Sequence, residues 1–408
     1  MKATNQKYLI YLVLLMGLVA MMDQYLSTVK TTALPYILQE YDLRADQFSW
    51  LESLFLASTF FIFLLNGLND LIGRRLSILV LLLMMGLASL GLVLFTPSLP
   101  WFMVFYAAVT FTTVSNMWTI PISEESPDLR RARLVSIVYV IGLLPLQALL
   151  PPLLLNVLKL DWKWMYGVMF LLMLPVLGLW LFMHETARYQ VIQQERRQGL
   201  RKTHFFGLGV ISRNDIRYIA ISAGIWICWL INSFIHYWAG YYFMTIKGYS
   251  LTQWSLVLLA SLLMAILGGV TGGWIMDHTG RRSALVIGCL GLTITMSMLG
   301  FASGPLLPVT AALTGFFISF AYSWIVVYIP EIFPTERRGS CMGWTTTGAR
   351  IAYVVGPAFA AVLLKAFPTM QWYWVIGSLV MLVPIAIIFL TKPSETRVKS
   401  LEVIEVER

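Results

Sequence analysis

The chain has 408 residues, 58% hydrophobic and 12% charged, with a formal net charge of +9 and a mean hydropathy of +0.75. Soluble domains carry about 25% charged residues, and so little charge cannot cover this much apolar surface in water, whereas lipid can. The composition excludes a soluble globular domain. The basic excess has no aromatic-and-basic surface segment beside it, so it does not describe a nucleic-acid binder.

Twelve apolar stretches are long enough to span a bilayer, near 8–38, 47–68, 76–96, 101–122, 134–157, 163–183, 218–242, 253–274, 284–303, 306–329, 342–364 and 371–391. About 20 residues rising 1.5 Å each cross a hydrocarbon core roughly 30 Å thick. Lipid offers the backbone no hydrogen-bond partner, so all twelve are predicted to be helices. Short links such as Thr96 to Pro100 make neighbours antiparallel. No basic start with an Ala-x-Ala cleavage site precedes the first span, which is expected to be retained. Cys228, Cys289 and Cys341 lie in or beside spans without metal spacing and read as packing residues. No metal and no cofactor is expected.

Placing the N-terminus in the cytoplasm puts 22 of the 29 Lys and Arg residues on that side. The outer loops then hold five, and Lys30 and Arg350 remain inside spans. This is the positive-inside bias, and both termini are expected to be cytoplasmic. The stretch from His184 to Arg217 carries seven Lys/Arg against three Asp/Glu. It reads as a linker on the anionic inner leaflet. The expected organisation is a six-helix bundle over 1–183, a cytoplasmic linker over 184–217, a second bundle over 218–391 and a cytoplasmic tail over 392–408.

A short cassette occurs twice, each time on cytoplasmic links. Asp70-x-x-Gly73-Arg74-Arg75 with Glu124-x-x-Pro127-x-x-x-Arg131 returns as Asp277-x-x-Gly280-Arg281-Arg282 with Glu331-x-x-Pro334-x-x-x-Arg338, all at an offset of 207. Such a repeat means that one half of the protein has been duplicated, as transporters are. A carboxylate at one helix end can pair with a guanidinium on the next and close the cytoplasmic mouth. Guanidinium–carboxylate pairs are directional, and exposed ones are worth only about 0–1 kcal/mol. A set of them suits a latch with nearly balanced open and closed states. Charges that merely set topology would not need the Glu-x6-Arg elements, since carboxylates contribute little to it.

These motifs resemble those of the major facilitator superfamily. Tyr328-Ile-Pro330-Glu331-Ile-Phe-Pro334-Thr335-Glu-Arg-Arg338-Gly339 is similar to the Tyr-x-Pro-Glu-x-x-Pro-Thr-x-x-Arg-Gly signature of its sugar-porter and organic-ion branch. His184-Glu185-Thr-Ala-Arg188-Tyr resembles that branch's Pro-Glu-Ser-Pro-Arg-Trp, with His for the first Pro. Glu395-Thr396-Arg-Val-Lys-Ser-Leu401-Glu402 resembles Glu-Thr-Lys-Gly-Arg-Ser-Leu-Glu, and Thr32-Ala33-Leu34-Pro35 a common end of span one. The resemblance implies an all-α membrane protein of 12 transmembrane helices in two pseudo-symmetric six-helix bundles, with a central site and alternating access. It adds Glu185, Arg188 and Glu395 to the cytoplasmic gate.

Departures from the pattern bear on the substrate. Sugar porters carry Gln-Gln six and five positions before the Asn of span seven; here Asn232 stands after Trp226 and Ile227, and Tyr139 stands for the Gln of span five. A cavity this poor in amides does not suit a hydroxyl-rich ligand, because each unpaired buried polar group costs about 1–3 kcal/mol. Charges inside spans are expensive and default to function. Asp23 lies about 15 residues into span one, near mid-membrane, and matches the acidic position that the resemblance associates with proton coupling. Related porters often pair it with an Arg in span four, and Val104 to Tyr106 offers none. Arg350, in Gly348-Ala-Arg350-Ile, resembles a Gly-Arg-Ile of organic-ion and aromatic-acid members. It is either a bidentate carboxylate clamp or the partner of Asp23. Lys30 either snorkels outward or binds ligand. Asn232 and His236 form a polar patch in span seven, a ligand surface or ordinary helix–helix glue. Trp226, Trp229 and Trp324 are candidates for stacking on an aromatic ligand.

No Gly-x4-Gly-Lys-[Ser/Thr] occurs, so ATP-driven pumping is not expected, and no hydrolase or metalloprotease motif points to an enzyme. Gly142-Leu-Leu-Pro145-Leu-Gln147 is not the Gly-Pro-x-x-Gly-Gly of drug antiporters. The leading expectation is proton-coupled symport of a small organic anion, an aromatic or other carboxylate, by a monomeric multi-pass protein of the plasma or inner membrane. Its partners are then the small organic substrate, protons and the bilayer. The alternatives are a facilitator or exchanger of a neutral or cationic solute, and a sensor that binds without translocating.

Overall fold

In the computed structural model the described residues are 6–65, 72–113, 115, 117–126, 131–198, 211–333 and 338–396, and the elements they form are helical. Nine described helical segments are long and apolar enough to cross a membrane, and three shorter apolar helices, Leu99–Thr112, Leu146–Val157 and Trp164–Trp180, join them. The stretch read as one span over 101–122 stops at Thr112 and resumes at Thr119, and that over 134–157 is divided around Pro145. Proline removes an amide donor and clashes with the preceding turn, which interrupts a helix. The first span changes register at Val29, between Gln6–Thr28 and Lys30–Glu40.

The described residues fall into two compact units, one within Met1–Ala33 and Phe61–Phe205, the other within Leu34–Phe60 and Phe206–Arg408. Helices are numbered α1 Gln6–Thr28, α2 Lys30–Glu40, α3 Ala45–Leu56, α4 Arg74–Leu94, α5 Leu99–Thr112, α6 Thr119–Glu125, α7 Arg131–Gly142, α8 Leu146–Pro152, α9 Trp164–Trp180 and α10 Ala187–Arg197. They continue as α11 Arg213–His236, α12 Leu251–Thr279, α13 Arg281–Phe301, α14 Leu306–Ile332, α15 Arg338–Ala349, α16 Ala352–Ala366, α17 Gln371–Ser378 and α18 Leu382–Thr391.

In the first unit α1 packs on α7 and α9, and α4 on α5 and α9. Two tyrosine hydroxyls tie α1 to α9: Tyr25 donates to the Met165 carbonyl and Tyr11 to that of Leu179, both at 2.6 Å. Gly86 faces Met173 and Gly91 faces the Phe105 ring, so these helices approach closely. In the second unit α12 packs along α14. There Gly268 lies against the Phe316 carbonyl, Gly272 against that of Phe320 and Gly315 against that of Ser261. Small residues of this kind let backbones meet where lipid supplies no hydrophobic drive. Helix α3 packs on α16, with Ser49 donating to the Pro357 carbonyl at 2.7 Å and Ser53 to that of Val354 at 2.8 Å. Ile10, Leu14, Leu263, Val270, Phe389 and Leu390 are exposed, as lipid-facing side chains should be.

Candidate functional site

Each unit holds a charged cradle built from the repeated cassette. In the first, Gly73 stands before α4 at φ +95°, ψ 167°, a backbone region open essentially to glycine alone. This sharp entry delivers the first amides of α4 to Glu185, whose Oε1 accepts from Arg74 N–H at 2.9 Å and Oε2 from Arg75 N–H at 3.2 Å. The carboxylate thereby satisfies two orphan donors and complements the positive end of the helix dipole. The Arg74 guanidinium forks onto Glu124, with Nη2 at 2.8 Å and Nε at 3.1 Å from Oε1. Both side chains are largely buried. Thr186 donates to the other Glu124 oxygen at 2.6 Å, and the Tyr189 ring lies 4.9 Å from the guanidinium. Arg75 covers the Trp180 ring at 4.9 Å, and the Trp180 indole donates to the Arg75 carbonyl at 2.9 Å.

The second unit repeats the design. Gly280 has φ +98°, and Glu395 accepts from Arg281 N–H at 2.9 Å and Arg282 N–H at 3.2 Å. Arg281 forks onto Glu331, with Nη2 at 2.9 Å from Oε1 and Nε at 3.2 Å from Oε2. Thr396 donates to Glu331 at 2.6 Å, as Thr186 does to Glu124. Here Arg281 also meets Asp277, at 2.9 Å. Arg282 donates to the Lys392 and Pro393 carbonyls, and Tyr328 to the Ser394 carbonyl at 3.0 Å. The chain after α18 is thus stitched to α13 and α14. The sequence expectation was a carboxylate at one helix end paired with an arginine on another helix; the partner seen for Glu124 is Arg74 and that for Glu331 is Arg281. Asp70 lies outside the described residues, as do the side chains of Arg131, Arg188 and Arg338.

The charges and polar groups inside the spans are placed as follows. Asp23, on α1, is buried and accepts the Trp118 indole N–H at 3.0 Å. The Trp118 ring lies nearly parallel to that of half-buried Tyr139, 6.5 Å between centroids and 14° between planes. Lys30 is buried at the start of α2 rather than reaching outward to the surface. Arg350 is buried at the break between α15 and α16, its guanidinium 4.3 Å from the Tyr353 ring centre. Along α11, Trp226 is buried and His236 half-buried, and the Trp226 indole N–H and His236 Nδ1 meet no hydrogen-bond partner among the described residues. The same holds for the indole of Trp324, whose ring stacks on Tyr328 at 4.5 Å. Two other candidates are engaged within the unit: Trp229 donates to the Ile318 carbonyl at 3.0 Å, and Asn232 Nδ2 to Met296 Sδ at 3.2 Å.

Sequence reasoning missed four residues. Trp118 supplies a donor to Asp23, and the signal was span four's lack of an arginine. Glu52 is wholly buried on α3, between the two serines that bond to α16. As a carboxylate inside a predicted span it met the same criterion as Asp23. Thr186 and Thr396 follow Glu185 and Glu395 in both copies, and that repetition could have marked them.

Helical spans in two units, each carrying the same cradle, define a polytopic membrane protein with an internal repeat. Residues 13–305 and 237–406 match the family model described as Major Facilitator Superfamily, and the chain belongs to that family. The fold is similar to the inward-open xylose transporter of E. coli, with a TM-score of 0.72 at 19% identity, covering 98% of this chain and 100% of that one. Among curated proteins, the niacin transporter of Acinetobacter baylyi is 25% identical over 191 residues, 46% of this chain and 43% of that protein. The gentisate transporter of Corynebacterium glutamicum is 24% identical over 209 residues, 50% of this chain and 46% of that protein. The chain spans about half the length of the curated relatives it matches.

Proposed function

We propose that this protein is a secondary transporter that couples a small organic anion, an aromatic or other carboxylate, to protons by alternating access. The observation that carries the reading is Asp23, a carboxylate buried in a membrane span and hydrogen-bonded to the Trp118 indole. An acid in that setting is expensive and is kept where it acts. An indole N–H can go on donating to a carboxyl oxygen whether or not the other oxygen holds a proton, so Asp23 can take one up while keeping its hydrogen bond to Trp118. Arg350 supports the choice of an anion: a buried guanidinium beside an aromatic ring suits bidentate capture of a carboxylate. The names of the niacin and gentisate transporters point the same way, since both compounds are small aromatic acids. A sugar is disfavoured because Asn232 and Trp229 spend their donors inside the unit. The cradles face the cytoplasm in this reading and act as latches on each half.

Reconstituted Asp23→Asn protein tests the assignment. It is expected to lose proton-driven accumulation of nicotinate while keeping exchange of labelled for unlabelled nicotinate. Full accumulation by the variant excludes Asp23 as the coupling group.

A further inference from the structure

Two apolar grooves lie at corresponding ends of the two repeats and differ in charge. The first is at the end of α4 away from Arg74. Leu94, Phe95 and Pro97, with Trp101 and Phe105 of α5, line a space of about 600 Å3, and Lys163, just before α9, is its one charged lining residue among those described. Phe95 stacks on Phe105 at 6.3 Å, Phe95 and Trp101 are exposed, and the Lys163 ammonium is 5.9 Å from the Trp162 ring centre. The Asp161 carboxylate beside it accepts the Lys163 backbone N–H at 2.8 Å. The second groove, about 430 Å3 at the end of α13, is lined by Ile294, Met298, Phe301 and Leu306 among others and has no charged lining residue among those described. At the offset of 207, Leu94 and Phe95 correspond to Phe301 and Ala302, and Lys163 to Met370.

We propose that the first groove holds an acyl chain of an anionic phospholipid whose headgroup phosphate sits on Lys163. The groove opens at the end of a span, where headgroups lie and where Trp and Tyr concentrate. Its walls are aromatic and aliphatic, suited to a chain and not to a polar solute. A lysine ammonium binds phosphate as a point charge, and an anionic lipid brings no headgroup cation to compete. One basic residue near anionic lipid gives about a fivefold preference. Lacking a cation, the second groove takes lipid chains without regard to headgroup charge.

Native mass spectrometry of the full chain, offered equal dioleoyl phosphatidylglycerol and dioleoyl phosphatidylcholine in detergent, tests the assignment. The parent is expected to retain the glycerol lipid about fivefold more, Lys163→Arg to keep that preference, and Lys163→Gln to lose most of it with phosphatidylcholine retention unchanged. Glycerol phosphate without chains is expected not to displace the lipid. Parent-like preference in Lys163→Gln, equal loss of both lipids, or displacement by glycerol phosphate overturns the proposal.

Discussion

At Gly73 a methyl group would overlap the Glu185 carboxylate and press on the Tyr189 ring, whereas at Gly280 it would meet Glu395 only at 3.1 Å. Both positions have φ near the same strained value, so alanine is unfavourable at each. Gly73→Ala is expected to lower the thermal midpoint in detergent more than Gly280→Ala, and the reverse order would show that the Glu185 contact is unimportant. The two carboxylates differ similarly. Glu124 is buried with Arg74, while 27% of the Glu331 side chain stays exposed. Removing one member of a buried pair strands the other, at a cost of about 3–5 kcal/mol. Glu124→Gln should therefore destabilise more than Glu331→Gln, read from thermal midpoints of the two variants. Both glutamates and both arginines were legible in the sequence because the repeat marks them. Their pairing was not, since partners 50 residues apart meet only once the fold has brought the start of α4 to Glu124 and the start of α13 to Glu331.

Among the helices, α12 and α14 meet backbone to backbone because glycines occupy the contact. Gly268→Leu would drive a side chain into the Phe316 carbonyl and is expected to abolish folded yield, while Gly273→Leu, whose position opens on empty space, leaves it unchanged. Equal yields from both would contradict the close approach. The contact of α3 with α16 makes a further case. Ser49→Ala and Ser53→Ala each remove one hydrogen bond of about 1 kcal/mol, and the double variant should lower the thermal midpoint by about the sum of the single shifts. Hydropathy located these helices well, since length and apolar content are all that a span requires. It could not find the interruptions at Thr112 and Pro145, where apolar character continues while the backbone changes course. Nor could it tell that α3 groups with the later part of the chain, because that depends on which side chains interlock.

For the whole molecule, the duplication at 207 was the most legible feature, and the fold of the family follows from it. The embedded charges were legible as well, because Asp23 and Arg350 stand out in apolar surroundings. Trp118 did not stand out, since an indole is commonplace in a span and only its hydrogen bond to Asp23 gives it a role. Trp118→Phe keeps the ring beside Tyr139 and removes the donor. It is expected to weaken proton-driven accumulation at least fivefold while sparing exchange, and unchanged accumulation would mean that the indole N–H is dispensable. In the proposed function, proton movement drives a carboxylate across the membrane. Its most direct measurement is uptake of labelled nicotinate into proteoliposomes with an imposed pH gradient, acid outside. Accumulation above the external concentration, collapsing when a protonophore is added, is expected. Binding without counterflow, or uptake that ignores the gradient, would contradict it.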